Sequence, residues 1–303
     1  MEIKKIKRAL CDYHYFLQKC VRLLSPYIKD DKKYLSLLYR ANYGKKLNWD
    51  SPQYFAEKMQ WLKLNNRNPE YVVMADKVKA KDWVAEKIGN EFIIPTLAVW
   101  ERAEDVDFDS LPDKFVIKCN HNSGTGMYIC KDKSQMDTEK VRAELRKGLN
   151  ENYYELGREW PYKDIPRRII AEQFMEDNEH PGDLADYKFF CFNGEPHFCQ
   201  VIRDRSTKET IDIYDMNWDL MPFVGLNPIA RNGLTSVPRP LHLEKMIEIC
   251  KTLSKGMPFG RIDLYVINDN IYFGEITFFP MNGWGQFSPE DWNLSIGQMI
   301  KVD

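Results

Sequence analysis

The chain has no run of 18 apolar residues, no C-x-x-C pair and no H-x-x-x-H pair. The first absence leaves no candidate for a membrane-spanning helix. The other two leave no zinc site or disulfide framework in view, although seven cysteines (11, 20, 119, 130, 191, 199, 250) and five histidines are present. Scattered cysteines of odd number read as reduced thiols, and no secretory leader is recognisable, so the expected location is cytoplasmic. Surplus charge is also missing. The 43 Lys and Arg against 45 Asp and Glu leave a formal charge of -2, which gives no electrostatic case for a nucleic-acid partner. Internal repeats and low-complexity tracts are absent too. What the chain does have is 303 residues, 44% of them hydrophobic and 13% aromatic, enough to fill the cores of about two domains.

The most informative stretch is R-I-D-L-Y-V-I-N-D-N-I-Y-F-G-E-I-T-F-F-P-M-N-G, residues 261–283. Residues 261–266 and 271–279 have strand character, and Asn268-Asp269-Asn270 is a turn cluster, so the stretch predicts a β-hairpin. Paired across that turn, Asp263 comes near Glu275 or Thr277. Two carboxylates and a hydroxyl make a hard oxygen site that suits Mg²⁺ carrying phosphates. Arg261 stands beside them as a fixed donor for a developing anion. The competing account is an edge hairpin with a solvated polar face.

Three other segments carry lone cations. In residues 113–131, D-K-F-V-I-K-C-N-H-N-S-G-T-G-M-Y-I-C-K, strands at 115–120 and 127–131 flank a loop holding Ser123, Gly124 and Gly126. Such a loop can lay backbone N–H groups over phosphates, with Lys118 facing its end. Lys77 falls in the first turn of a helix expected over 76–88 with Asp76 as N-cap. The helix dipole disfavours a cation there, and an anionic ligand would resolve the conflict. Lys188, inside the aromatic strand 187–192, is costly unless a phosphate or the Asp263/Glu275 cluster pairs it. Arg203 and Arg205 close the next hairpin, where their planar forks suit either a carboxylate substrate or a surface salt bridge. Further helices are expected over 34–43, 55–64 (Ser51 capping, Pro52 first), 241–253 and 292–300. Residues 206–240 read as an exposed loop that shapes an acceptor pocket. Residues 1–28 read as a basic amphipathic helix with Lys4, Lys5, Lys7, Arg8, Lys19 and Arg22 on its polar side. It either rests on anionic lipid at a membrane surface or packs on its own domain.

R-x-D, E-x-T and the turn after them resemble the metal-binding hairpin of ATP-grasp ligases, where the pattern is R-x-D, E-x-N and Pro-Gly. From about residue 43 to residue 300 the chain more closely resembles the TupA-like ATP-grasp family, linked to teichuronopeptide and other surface polysaccharides. Asp76-Lys77, Gly89 and Pro95 match the family's D-K, Gly and Pro, and L-N-W-D-S-P-x-x-F-x-E-K-M-Q-W-L-K-L matches its N-terminal signature. The resemblance implies an α+β ATP-grasp fold: a small lid sheet over a larger mixed or antiparallel core sheet, with ATP between them. It implies a helical region over 1–75, core over 76–112, lid over 113–170, and core with the metal hairpin over 171–303. Lys77, Lys118 and Lys188 would reach ATP phosphate, with Arg261 and Lys188 catalytic. Glu172, Gln173, Phe174 and Met175 would meet adenine, and Asp186 the ribose. Asp263, Glu275 and, more weakly, Thr277 would hold Mg²⁺. Arg203, Arg205, Asn282 and Gly283 would meet the acceptor substrates. The implied reaction is ATP-dependent amide formation through an acyl phosphate, joining a uronic acid to an amino acid. A kinase or a glycosyltransferase-associated protein is the alternative.

Overall fold

In a computed structural model, residues 13–178, 184–205, 207–226, 232–233 and 235–302 are described. The expected helix over 1–28 is therefore seen from Tyr13 on, and Lys4, Lys5, Lys7 and Arg8 lie outside the described residues.

The chain opens with helices α1 (Tyr13–Leu23), α2 (Asp31–Tyr43), α3 (Phe55–Asn65), α4 (Glu70–Ala75) and α5 (Lys79–Ile88). Asp30 caps α2 by accepting from the Lys33 N–H at 3.0 Å, and Gly44 ends it at φ +71°. The start of α3 differs from the sequence expectation. Ser51 and Pro52 precede it, and Glu57 instead reaches back to the Gln53 and Tyr54 N–H groups at 2.8 and 3.2 Å. The helix expected from Asp76 is also corrected, since it starts at Lys79. The Asp76 carboxylate holds the Val78 N–H, Asn120 Nδ2 and Arg168 Nη2 at 2.9, 2.7 and 3.0 Å, so it ties the turn between α4 and α5 to distant segments.

Strands β1 (Thr96–Trp100), β2 (Phe115–Cys119) and β3 (Met127–Cys130) come next, followed by helices α6 (Thr138–Leu149) and α7 (Tyr153–Gly157) and strand β4 (Ile169–Gln173). They form a four-stranded antiparallel sheet in the order β1-β4-β2-β3. Its core joins Phe115, Ile117 and Ile169 to Val141 and Leu145 of α6. One of its strands comes from before residue 113, and most of β4 lies beyond residue 170.

Strands β5 (Asp186–Phe192), β6 (Glu195–Arg203), β7 (Thr210–Asp215) and β8 (Val224–Gly225) lead to helix α8 (Leu243–Ser254). Then come strands β9 (Phe259–Ile267), β10 (Asn270–Thr277) and β11 (Phe287–Ser288) and helix α9 (Asp291–Met299). The larger sheet is antiparallel throughout, in the order β10-β9-β5-β6-β7. Strand β7 lies inside the stretch expected to be loop. Ile211 and Ile213 are buried there and pair with Ile202 and Gln200. The aromatic content fills this core: Phe190 stacks on Phe198 at 4.6 Å, and Phe259 and Phe287 both meet Phe55 of α3 edge-on. No helix among the described residues is long and apolar enough to cross a membrane.

The N-terminal helices are held to the segment around α7 by the Ser25, Tyr34 and Tyr154 hydroxyls and, most of all, by the buried Arg158. Arg158 donates to the Ser25 and Ile28 carbonyls at 2.8 and 2.9 Å, pairs with Asp31 at 3.2 Å and lies 4.4 Å over the Tyr34 ring. Removing it strands two carbonyls and part of a buried ion pair. Arg158→Ala is expected to lower stability by roughly 3 kcal/mol in urea unfolding and to speed amide exchange selectively in α2.

Candidate functional site

The β9–β10 hairpin turns on Asn268 and Asp269, both at positive φ, which is the two-residue turn that matches strand twist. A regular ladder from that turn would set Glu275 opposite Ile262, on the wrong face. Instead the register shifts by one residue between Phe273 and Glu275. The extra residue is Gly274, where a Cβ would meet the Tyr265 ring at 2.9 Å and the Asp263 carbonyl oxygen at 3.0 Å. The bulge puts Glu275 directly opposite Asp263 and Thr277 opposite Arg261, with all four side chains on one face.

There they form one cluster. Arg261 Nε and Nη2 each donate to Asp263 at 2.7 Å, and Nη2 also reaches Glu275 at 3.1 Å and Thr277 Oγ1 at 2.9 Å. The Thr277 hydroxyl donates to Glu275 at 3.1 Å. From the neighbouring strand, Lys188 sits in register with Asp263 and pairs with it, and also lies 3.4 Å from Asp186. Arg205 covers Asp186. The strand alternation of β5 that carries Lys188 and Asp186 therefore delivers both to this face. Burial pushes the Asp263 carboxyl up, against Arg261 and Lys188. Glu275 goes the other way. Enclosure by the cleft opposes its charge, but 43% of its side chain stays open, and Lys77, Arg261 and Lys188 bring its carboxyl to about 2. Glu275 is therefore the carboxylate best placed to meet a cation from the cleft.

That cleft, of about 720 Å³, runs between the two sheets. One wall is the Asp186, Lys188, Asp263 and Glu275 face. The other holds Lys118, Lys131, Glu172, Gln173, Phe174 and Met175, and the loop residues Asn122, Ser123, Gly124 and Thr125 cover it. Lys77 projects in from the α4–α5 turn, and its Nζ donates to the Asn122 carbonyl at 2.6 Å. No carboxylate among the described residues lies within ion-pair distance of it, and burial lowers its pKa. A cation poised over a glycine loop, with Glu275 acting on it only from beyond ion-pair distance, is a place for an anion.

Several expected residues stand differently. Glu172 is engaged by Lys118 at 2.5 Å and Lys81 at 2.7 Å. Although it is buried, the two cations hold its carboxyl below the ordinary range. Gln173 gives its N–H to the Pro95 carbonyl. Gly126 does not face the cleft. Its N–H donates to Glu144, and it packs on Cys119 Sγ and Gly148. Arg203 does not join the cleft either. It lies three residues from Gln200, the partner of Lys188, so it points to the other face, where it pairs with Asp212 at 3.0 Å and the Thr235 carbonyl at 2.9 Å. Asn282 and Gly283 sit in the turn that follows β10, where Gly283 is buried, Asn282 half-buried and Met281 exposed. Lys63 donates to the Asn282 carbonyl and Oδ1 at 2.8 and 3.1 Å, and Gln60 donates to the Gly283 carbonyl at 2.9 Å. These bonds hold Met281 and Asn282 at φ +52° and +59°.

Lys81, Lys131, Gln60 and Lys63 were not picked out from the sequence. Lys81 follows Lys77 by four residues, and Glu57, Gln60 and Lys63 recur every three on α3, so both sets had a helical-face signal. As for a metal, no group of three or more His, Cys, Asp or Glu among the described residues can enclose one. Asp263, Glu275 and the Thr277 hydroxyl are oxygen donors only, which fits a hard cation whose remaining ligands are phosphate oxygens and water.

The sequence pattern of the TupA-like ATPgrasp family matches residues 57–301. No curated protein matches the chain. Among solved structures it is similar to the D-alanine–D-alanine ligase of Bacillus anthracis complexed with ATP, at 16% identity over 69% of this chain and 54% of that one, TM-score 0.39. It is also similar to the D-alanine–D-alanine ligase of Helicobacter pylori, at 15% identity over 82% and 69%, TM-score 0.43. With the L-amino acid ligase of Bacillus licheniformis the values are 12%, 83% and 54%, TM-score 0.41. The chain spans only 54% of the length of the first of these ligases. Similarities this distant bear on no residue or reaction.

Behind the hairpin, Lys63 is fully buried and lowered to about 7 by desolvation, with Glu159 working against the shift. Glu159 is raised to about 7 by desolvation, with Lys63 opposing. The two give opposite pH signatures. Folded Glu159 holds a proton that the unfolded chain releases near 4.5, so its contribution to stability falls as pH rises from about 4.5 to 7. Folded Lys63 releases a proton that the unfolded chain keeps up to 10.5, so stability rises from about pH 7 to 10.5. Urea unfolding across pH should show Glu159→Gln flattening the acid limb and Lys63→Met the alkaline limb. Unchanged limbs would place the titration elsewhere.

Proposed function

The chain belongs to the TupA-like ATPgrasp family, and on that footing we propose that it is an ATP-dependent carboxylate–amine ligase. Its acceptor in this reading is a uronic acid of a bacterial surface polysaccharide, its amine an amino acid, and it works in the cytoplasm in peripheral contact with a membrane. The observation that carries the reading is the convergence of Lys77, Lys118, the 122–125 loop, Lys188, Asp263 and Glu275 on one cleft between two sheets, with Arg261 bonded to both carboxylates beside it. Cations arrive from both walls and from the α4–α5 turn beneath the loop, which is what a triphosphate bound between them requires.

In this reading Phe174 and Met175 meet the base and the 122–125 loop lies over the phosphates. Lys77 and Lys118 neutralise phosphate oxygens. Asp263 and Glu275, with Thr277, are the residues that would hold Mg²⁺, which when bound offsets phosphate charge. Lys188 and Arg261 favour the charged form of Asp263 and hold it in place, against the burial that pushes its carboxyl up. The substrate carboxylate attacks the γ-phosphorus, ADP leaves, and an acyl phosphate forms. The amine then attacks the acyl carbon, and phosphate and a proton depart. Arg261 faces the oxyanion of that second step, and Arg205, paired with Asp186, is the fork that an incoming carboxylate would share. Transfer rests on position and charge, with no side-chain nucleophile.

Glu275→Gln tests the metal end more cleanly than Asp263→Asn, because Asp263 is the buried counter-ion of two cations and its loss unbalances the sheet. Glu275→Gln is expected to lower Mg²⁺-dependent ADP release by roughly 10²–10³-fold with an unchanged unfolding midpoint. Ligase and kinase chemistry separate in the presence of hydroxylamine. A ligase gives a hydroxamate whose formation tracks ADP release and requires a carboxylate substrate. A stable phosphorylated sugar formed equally well without amine would make the protein a kinase.

A further inference from the structure

Helix α1 buries none of its residues, whereas α2 beside it buries five. It touches the rest of the chain along one edge. Val21 packs against the Tyr34, Leu35 and Leu38 cluster, and His14 Nδ1 lies 3.1 Å from the Ala41 carbonyl oxygen. The other side carries Tyr13, Phe16 and Leu23, with Leu24 and Tyr27 in the turn that follows. Spacings of three, seven, one and three residues keep them on one stripe. Tyr13, Leu23 and Tyr27 each leave 70% to 80% of their surface in solvent. Five large apolar side chains in fifteen positions, all facing outward, form a patch that a water-soluble surface does not ordinarily keep.

The end of this helix is fixed. The Ser25 hydroxyl bonds to the Glu155 carbonyl, and Arg158 clamps the Ser25 and Ile28 carbonyls, so the stripe is presented from a firm base. Charge selects what it meets. Residues 1–33 hold nine basic and four acidic side chains, in a chain whose formal charge is -2. Lys19, Arg22, Lys29, Lys32 and Lys33 flank or follow the stripe, and Asp31, one of the acids, is already paired with Arg158 and Arg67. A second copy of the chain would bring the same positive charge to the contact. An anionic surface that also offers apolar depth satisfies both features at once.

We propose that the Tyr13, Phe16, Leu23, Leu24 and Tyr27 stripe with its basic flank is a membrane-docking face that lies in the interface of an anionic bilayer. The apolar side chains enter the acyl boundary, and Lys19 and Arg22 remain at the headgroups. This holds whatever reaction the cleft performs.

The test is co-sedimentation of the full chain with vesicles of phosphatidylcholine alone and of phosphatidylcholine with 30 mole per cent phosphatidylglycerol, in low and high salt. Binding to the anionic vesicles is expected, and weakening by salt. Lys19→Gln with Arg22→Gln should lower the partition coefficient roughly 25-fold, at about fivefold per charge removed. Leu23→Ser with Leu24→Ser should remove binding. Neither pair touches the cleft, so nucleotide affinity serves as the control for folding. Hydrogen exchange over residues 13–28 should slow when anionic vesicles are added. No sedimentation with anionic vesicles, equal sedimentation with both kinds, or binding that survives the Leu23/Leu24 pair would overturn the proposal. So would exchange that is already slow without lipid, which would mean the chain's own residues cover the stripe. A concentration-dependent dimer that both pairs abolish would assign the face to self-association instead.

Discussion

A carboxylate with almost no exposed surface has to be met by positive charge, and Asp263 is met twice, by Arg261 from its own strand and by Lys188 from the next. That three-way contact sets the order of the central strands. Lys188 can reach Asp263 only if β5 lies against β9 in the observed register, and Arg261 can reach across to Glu275 and Thr277 only if β10 carries its bulge. Removing one partner would leave a charge in a place water does not reach, which costs several kcal/mol. A register slip of one residue would do the same to all of them. The polar cluster thus helps to specify the sheet as well as to furnish the cleft.

The opposite wall depends on a second knot. Asn120 directly follows the strand that carries Lys118. Its side chain donates to Asp76 and to the Pro166 carbonyl, and accepts from the Arg168 N–H at 2.7 Å. Lys77 follows Asp76 directly, and its own N–H donates to the Asn120 carbonyl. The position of Lys77 relative to the 122–125 loop is therefore fixed by backbone and side-chain bonds a few ångströms behind the cleft. The same carboxylate that organises this knot is what draws Asp76 away from capping α5.

Much of this could be read from residue order alone. Alternation and the Asn-Asp turn gave the hairpin, the Ser/Gly loop between two strands gave the covering segment, and a lysine among aromatics pointed to a buried partner. What stayed hidden depended on parity or on distant chain. Nothing in the ladder itself announces that Gly274 adds a residue, yet without it Glu275 and Asp263 face apart. Arg203 and Arg205 look equivalent in sequence, but Arg203 is the last residue of β6 and is turned to the far face, while Arg205 lies past the strand end and reaches Asp186. Strand β7 was masked by the proline- and tryptophan-containing loop around it, although Ile211, Ile213 and Tyr214 give it an apolar core contact. The Asn282 turn takes its meaning from Lys63 and Gln60, more than two hundred residues earlier, and no local pattern links them.

The ion pairs that fill the cleft also constrain how it can bind. Lys118 is committed to Glu172 and Lys188 to Asp263 and Asp186, so an incoming polyanion does not find bare cations. It has to share or exchange partners. The energy gained is then a difference between two paired states, smaller than the Coulomb attraction of any one contact suggests. In return the cations are already oriented and desolvated, and little reorganisation remains when charge develops on a bound phosphate or carboxylate. Lys131, which is exposed, has no ion pair among the described residues, and of the more buried cations Lys77 is the exception. Its Nζ rests on a neutral carbonyl in the covering loop, and among the described residues it has no carboxylate within ion-pair distance to release. An anion entering beneath that loop therefore gains most at Lys77, and by drawing on the same ammonium it couples its own position to the Asn122 backbone and to the loop that closes over it.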